Sequence, residues 1–159
     1  MEELNAPLKD WYCVEVIDIR EDDPEAPLKV CELCDYDGIR YVHVMAHDDY
    51  PDEICVGCIC AGVMERDIIA AKARDTEARN RTQRKKNYLK KKWADEPDGS
   101  WTLRYKGHDL KISVEVFQDI PQYTAWIDGE GWKWRNNAML TDFIQARNYI
   151  FDLMEGGYA

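Results

Sequence analysis

Alternating apolar and polar residues predict that the first third of the chain is rich in β-strands. The segment 11–19, WYCVEVIDI, contains β-branched and aromatic residues in partial alternation, and a charged turn with two prolines ends it. The segment 39–45 then predicts a second strand, 47–51 a hairpin loop, and 53–56 a short return strand. We therefore expect one strand followed by a β-hairpin.

The pattern changes between about residue 61 and residue 93, where no proline occurs and strong helix formers dominate. Apolar residues share one face near the start of this run and cluster again at its end. Between Lys72 and Asn87, two alanines are the whole apolar content. A helix this polar cannot be packed on all sides, so we expect its middle to be exposed to solvent.

Strand-like alternation returns after the turn-rich segment 95–100. Apolar and polar residues alternate strictly over 110–116, which predicts a half-buried strand. The segments 123–127 and 132–135 flank a glycine-containing turn and predict a hairpin. The apolar positions of 142–155 lie on one side of a predicted helix. The last third is therefore predicted to be a small antiparallel sheet with a C-terminal helix.

Five of the six cysteines lie in a pattern typical of a zinc site. Two residues separate Cys31 from Cys34, which lets both thiolates reach one tetrahedral ion. Cys55, Cys58 and Cys60 follow some twenty residues later. Six cysteines in 159 residues are too few for a disulfide scaffold, and their paired spacing indicates metal. Spacing alone selects Cys31, Cys34, Cys55 and Cys58 as the ligands.

The residues around these cysteines suggest a different ligand set. They include CELC at 31–34, IRYVH at 39–43, His47, and VGCICA at 56–61. Together they resemble a zinc-ribbon or treble-clef-like segment of uncharacterised bacterial and phage proteins, over about residues 30–93. In that pattern the VGCxCA step ends the hairpin and enters a helix. The resemblance thus implies a structural zinc ion held by Cys31, Cys34, Cys58 and Cys60, with Cys55 and His47 as substitutes, and it implies no activity.

Charge is distributed unevenly along the chain. Residues 1–65 carry 4 basic and 17 acidic side chains, 66–93 carry 11 and 3, and 94–159 carry 6 and 11, for a net charge of −10. A basic helix between two acidic lobes can bind phosphate, or its charge can be masked by those lobes. Both alternatives stay open. The residues we expect to contact nucleic acid are Arg81, Arg84, Lys85, Lys86, Lys90, Lys91 and Lys92.

Neither catalysis nor membrane insertion is predicted. No apolar run approaches eighteen residues, and the first residues, MEELN, lack the features of a secretory signal, so a cytoplasmic location is expected. A catalytic zinc ion needs an open coordination position, whereas here five cysteines compete for four places. The Walker, GxGxxG, HExxH and zinc-deaminase motifs are absent from the sequence.

We therefore predict an α+β protein in three parts. Residues 1–65 form a zinc-ribbon-like module, 66–94 a long basic connecting helix, and 95–159 an antiparallel sheet with one helix. The predicted function is that of a non-enzymatic zinc-binding protein that contacts nucleic acid through its basic helix. The alternative is an acidic protein-interaction module, or a phage-type regulator or inhibitor of a host protein, that engages a basic protein surface. The oligomeric state is left open.

Overall fold

The computed structural model describes residues 6–156 and shows a mixed α+β fold with small antiparallel sheets and a C-terminal helix. The chain divides into two units, at the step from Arg84 to Lys85. Each unit has its own cluster of buried apolar side chains. Within the described residues, no helix combines the length and the apolar character needed to cross a lipid bilayer.

The first unit contains a three-stranded sheet, a short two-stranded ribbon and two helices. Its sheet has the order β1-β4-β5 and is antiparallel, and the ribbon pairs β2 with β3. The elements are β1 (Tyr12–Asp18), β2 (Lys29–Val30), β3 (Asp37–Ile39), β4 (Tyr41–His47), β5 (Tyr50–Val56), α1 (Cys58–Glu65) and the larger part of α2 (Ile68–Leu89).

The predicted hairpin is confirmed as β4 and β5, which are joined by a tight turn at residues 48–49. Strand β4 lies in the middle of the sheet and is buried along almost its whole length. Its residues Val44 and Met45 point to opposite faces, and both are nearly inaccessible to solvent. The core of this unit is therefore built around β4.

The continuous helix predicted over 61–93 is instead two helices, of which α2 begins at Ile68 and ends at Leu89. The break comes at Arg66, which adopts the left-handed conformation with a φ of 59°. The side chain of Asp67 then accepts a hydrogen bond of 3.0 Å from the backbone N–H of Ala70, which caps α2. Gly62 permits the turn, because a Cβ there would lie 2.9 Å from the Cα of Ile68.

The second unit contains a five-stranded antiparallel sheet and a C-terminal helix, as the alternation predicted. The sheet order is β10-β9-β8-β7-β6, and a small separate hairpin pairs β11 with β12. The elements are β6 (Ala94–Asp95), β7 (Trp101–Tyr105), β8 (His108–Phe117), β9 (Ile120–Ile127), β10 (Glu130–Trp132), β11 (Trp134–Arg135), β12 (Ala138–Met139) and α3 (Phe143–Glu155).

One face of this sheet forms the second core. Leu110 and Ile112 of β8 lie opposite Ile127 and Ala125 of β9, and all four side chains are buried. Helix α3 and the buried ring of Tyr88, near the end of α2, belong to the same cluster. Because side chains alternate along each strand, the neighbouring residues of β7, β8 and β9 point to the opposite face of the sheet.

Candidate metal centre

Four of the cysteines in the first unit lie in two local structures, a turn and the start of a helix. Cys31 and Cys34 lie in the turn between β2 and β3, where the Cys31 N–H donates to the Tyr36 carbonyl at 2.8 Å. Cys58 and Cys60 lie in the first turn of α1, which begins directly after β5. A backbone hydrogen bond from the Glu32 N–H to the Cys55 carbonyl, 3.0 Å long, joins the turn to β5.

The Sγ atoms of Cys31, Cys34 and Cys60 all lie within 4.8 Å of one another. A tetrahedral zinc ion with Zn–S bonds of about 2.3 Å places its ligand sulfurs roughly 3.8 Å apart. The three sulfurs are therefore close to the spacing needed for one mononuclear ion. Within residues 6–156, this is the one group of three or more potential metal donors at such short mutual distances.

Without a cation, the three thiols compete for negative charge. Burial opposes ionisation of Cys31, but hydrogen bonds from the backbone N–H groups of Cys34, Gly57 and Leu33 outweigh it and lower its pKa. Burial, together with hydrogen bonds and charge from Cys34 and Cys31, raises the pKa of Cys60 to about 12. Cys31 therefore ionises more readily than Cys60, and a bound dication would favour the thiolate form of both.

Cys58 lines the same pocket as the three grouped cysteines but is not part of the group. The pocket measures about 610 Å³, and Asp75 and Arg79 also contribute to its wall. Burial raises the pKa of Cys58, and the charge of Asp75 adds to the effect, whereas Arg79 and Lys72 act in the opposite direction. The structure thus brings together three of the four cysteines that the resemblance implies, with the fourth nearby.

The two substitute ligands lie elsewhere. His47 is at the turn of the β4–β5 hairpin, and the length of β5, about 20 Å at ~3.3 Å per residue, separates that end from α1. Its ring packs on Trp11 at 5.3 Å, and its Nδ1 accepts from the Asp49 N–H. Cys55 pairs with Val44 in the sheet and is likewise outside the group of three.

Helix α2 is attached to the first unit through polar contacts that the hydrophobic pattern did not reveal. Tyr41 donates to Thr82 at 3.1 Å, and Thr82 donates to Asp18 at 2.9 Å. His43, which is fully buried, contacts Asp75 through Nε2 at 3.3 Å. The expectation of an exposed middle is therefore wrong for the inner face of this helix, because polar side chains mediate its packing.

The residues predicted to contact nucleic acid fall into two sets. Arg81 pairs with Glu21, Arg84 pairs with Glu77 at 2.6 Å, and Lys85 is buried with its ammonium 5.9 Å from the centre of the Phe151 ring. These three side chains therefore already make contacts within the protein. The second set is exposed to solvent and consists of Lys86, at the end of α2, and the following Lys90, Lys91 and Lys92.

Comparison with protein-family models, with curated proteins and with solved structures finds no match to this chain.

Proposed function

We propose that this chain is a non-enzymatic zinc-binding protein in which the ion links the β2–β3 turn to the start of α1. The grouping of the Cys31, Cys34 and Cys60 sulfurs is the observation that supports the proposal. Two of these residues come from one turn and the third from a helix that starts 24 residues after Cys34 in the sequence. An ion bound there therefore cross-links segments that a small core would hold together weakly.

We assign the fourth position to Cys58. It lies two residues before Cys60 in the first turn of α1 and lines the same pocket as the three grouped cysteines. Four thiolates around one dication carry a net charge of −2. The cationic groups of Arg79 and Lys72 act on Cys58 in the direction that favours its thiolate, and they would offset part of this charge.

Metal analysis tests this site. Protein purified without chelator should contain one zinc ion per chain, and Cys31→Ser or Cys34→Ser should weaken binding by more than the ~100-fold expected from an outer-shell change. Cys13→Ser is the matched control, because that thiol lies in β1 and donates to the Glu15 carbonyl instead. Zinc-free protein, or equal loss in the control, would contradict the proposal.

The second part of the proposed function is electrostatic contact with nucleic acid through the exposed lysines. Lys86 and the run Lys90–Lys92 are close together in sequence, and all four are exposed. The acidic excess lies in the first unit, because residues 1–84 carry 20 acidic and 10 basic side chains. Residues 85–159, which form the second unit, carry 11 of each. A polyanion confined to the second unit thus meets less repulsion than the net charge of −10 suggests.

Charge reversal of Lys90 and Lys91 to glutamate should abolish binding to short DNA or RNA at low salt. The affinity of the unaltered protein should fall steeply with added salt, in proportion to the phosphates neutralised. Reversal of Lys9 and Lys133 changes the net charge equally at two other exposed lysines and serves as the control. Equal effects of both double variants would show a general charge effect and no specific contact.

Exposed apolar residues favour the alternative, a protein-interaction module. Ile59 and Val63 are one turn apart on α1 and are 69% and 60% exposed, and Ile69 at the start of α2 is 82% exposed. Apolar side chains that are exposed next to one another, as at two positions one turn apart on a helix, are a feature of surfaces that bind proteins. If the unaltered protein binds no DNA or RNA at low salt, this alternative takes precedence, and Val63→Glu should then abolish capture of the protein partner.

A further inference from the structure

The face of the five-stranded sheet opposite its core carries a tryptophan whose ring reaches across neighbouring strands. Ala125 and Ile127 face the core, so Trp126 between them points to the other face. A Cβ at Gly131 would approach its ring to 2.9 Å, which shows how closely the indole covers that backbone on β10. The indole N–H donates to the Ser113 hydroxyl on β8 at 2.8 Å.

These two contacts fix the orientation of the ring. One end of the indole lies over Gly131 of β10 and its nitrogen reaches Ser113 of β8, so the ring spans three adjacent strands. A ring held at both ends in this way has a fixed position on the sheet. Trp126 is half-buried and lines a groove on this side of the sheet, so part of its ring is accessible from the groove.

The groove beside Trp126 measures about 720 Å³ and crosses the strands from β9 towards β6. Its charged lining consists of Lys92, Arg104, Lys111 and Asp109, and the ammonium of Lys111 also lies 3.8 Å from the exposed carboxylate of Asp98. Arg104 and Asp109 form a 2.6 Å pair in which both side chains are about two-thirds exposed or more. Exposed pairs of this kind contribute ~0–1 kcal/mol, so Arg104 can exchange Asp109 for a phosphate at little cost.

We propose that this groove binds single-stranded nucleic acid, with one base stacked on Trp126 and the backbone phosphates near Lys92, Arg104 and Lys111. The proposal deepens the nucleic-acid part of the proposed function and rests on it, because Lys92 continues the exposed run that starts at Lys90. Aromatic platforms beside cationic grooves are the recurrent design for single strands.

A single strand is favoured over a duplex for a geometric reason. In a duplex the bases are stacked on one another and paired, so a tryptophan on the surface of a sheet has no free base face to contact. An unpaired base can leave its neighbours and stack on the indole. Binding at this groove should therefore discriminate by strandedness and show weak dependence on sequence.

The test compares a labelled 12-nucleotide single strand with a hairpin duplex of matched length, using the full chain at low salt. Trp126→Leu should weaken single-strand binding by about 5- to 150-fold and leave duplex binding unchanged. The salt dependence should keep its slope, because no phosphate contact is removed. Trp134→Leu is the matched control, since Trp134 is 54% exposed on β11, outside the groove.

Two further variants test the groove independently, in case Trp126→Leu weakens the packing of β10 on the sheet. Trp126→Phe retains an aromatic ring and should restore most of the affinity, whereas Lys111→Gln should reduce both affinity and the salt slope by about one phosphate contact. If Trp126→Leu leaves single-strand affinity unchanged while the Lys90 and Lys91 reversal abolishes binding, the groove is not the binding site and the proposed function still holds. Equal binding of duplex and single strand also contradicts the groove proposal. If the protein binds neither, the groove proposal and the nucleic-acid part of the proposed function are both wrong.

Discussion

At the scale of single residues, local spacing identified two of the three grouped cysteines. Cys31 and Cys34 could be assigned from sequence because two intervening residues fix the geometry of a turn. The choice among Cys55, Cys58 and Cys60 depends on where β5 ends and α1 begins, which spacing does not encode. The structure groups Cys60, in the first turn of α1, with the turn cysteines, and leaves Cys55 in the sheet.

The protonation of Cys60 leads to a pH-dependence prediction. With a pKa of about 12 this thiol keeps its proton at neutral pH, and zinc binding must release it. Affinity should therefore rise by about tenfold or more for each pH unit between 6 and 8, and fall as the pH is lowered. Competition against a chromogenic chelator measures this slope.

Serine variants of the individual cysteines test which residue releases the proton when zinc binds. Cys60→Ser should reduce zinc affinity sharply and lower the pH slope by about one proton, whereas Cys55→Ser should change both weakly. If Cys55→Ser has the larger effect, the ligand set selected by spacing alone would be restored.

At the scale of elements, the sequence predicted that α2 is helical but misjudged its surroundings. Hydrophobic periodicity detects apolar packing, and here Asp75 and Thr82 take the place of apolar residues on the inner face. The break between α1 and α2 was also missed, because its left-handed residue is Arg66, and arginine is not a residue that signals a helix end. The sequence signals were Gly62 within a run of helix formers and Asp67, a residue type that is favoured at helix N-termini.

Gly62 provides a test of this turn. Helix propensity alone predicts that Gly62→Ala stabilises the protein by about 1 kcal/mol. The added Cβ would instead meet the backbone of Ile68 at 2.9 Å, so we expect a net destabilisation of about 1–3 kcal/mol from overpacking. Urea unfolding followed by circular dichroism at fixed zinc concentration measures the difference. Ala73→Gly, at an exposed position of α2, calibrates the propensity effect in the same protein. A more stable Gly62→Ala variant would show that the turn can relax.

At the scale of the whole molecule, the α+β class and the antiparallel C-terminal sheet could be predicted, since both follow from local alternation. The sequence placed the division between modules at residues 95–100, whereas the structure divides after Arg84. The end of α2 belongs to the second core because the buried Tyr88 donates to the Arg147 carbonyl at 2.7 Å. That contact joins residues 59 positions apart in sequence, which no local pattern can reveal.

The two separate cores predict that zinc removal destabilises one unit and spares the other. The grouped cysteines all lie in the first unit, and a bound ion contributes its binding free energy to that fold alone. The second unit has its own core of β8, β9 and α3 residues and contains five of the six tryptophans, so fluorescence of a Trp11→Phe variant reports on it exclusively.

With a zinc chelator present, thermal unfolding followed by far-ultraviolet circular dichroism should show a first transition shifted to lower temperature. The tryptophan fluorescence transition of Trp11→Phe should stay where it is without chelator, because no proposed zinc ligand lies beyond Cys60. Cys60→Ser should reproduce the effect of the chelator and be insensitive to it, which separates loss of the ion from other actions of the chelator. If the fluorescence transition moves together with the dichroism transition, the two units unfold as one cooperative structure, and stability conferred by the ion extends along α2 into the second core.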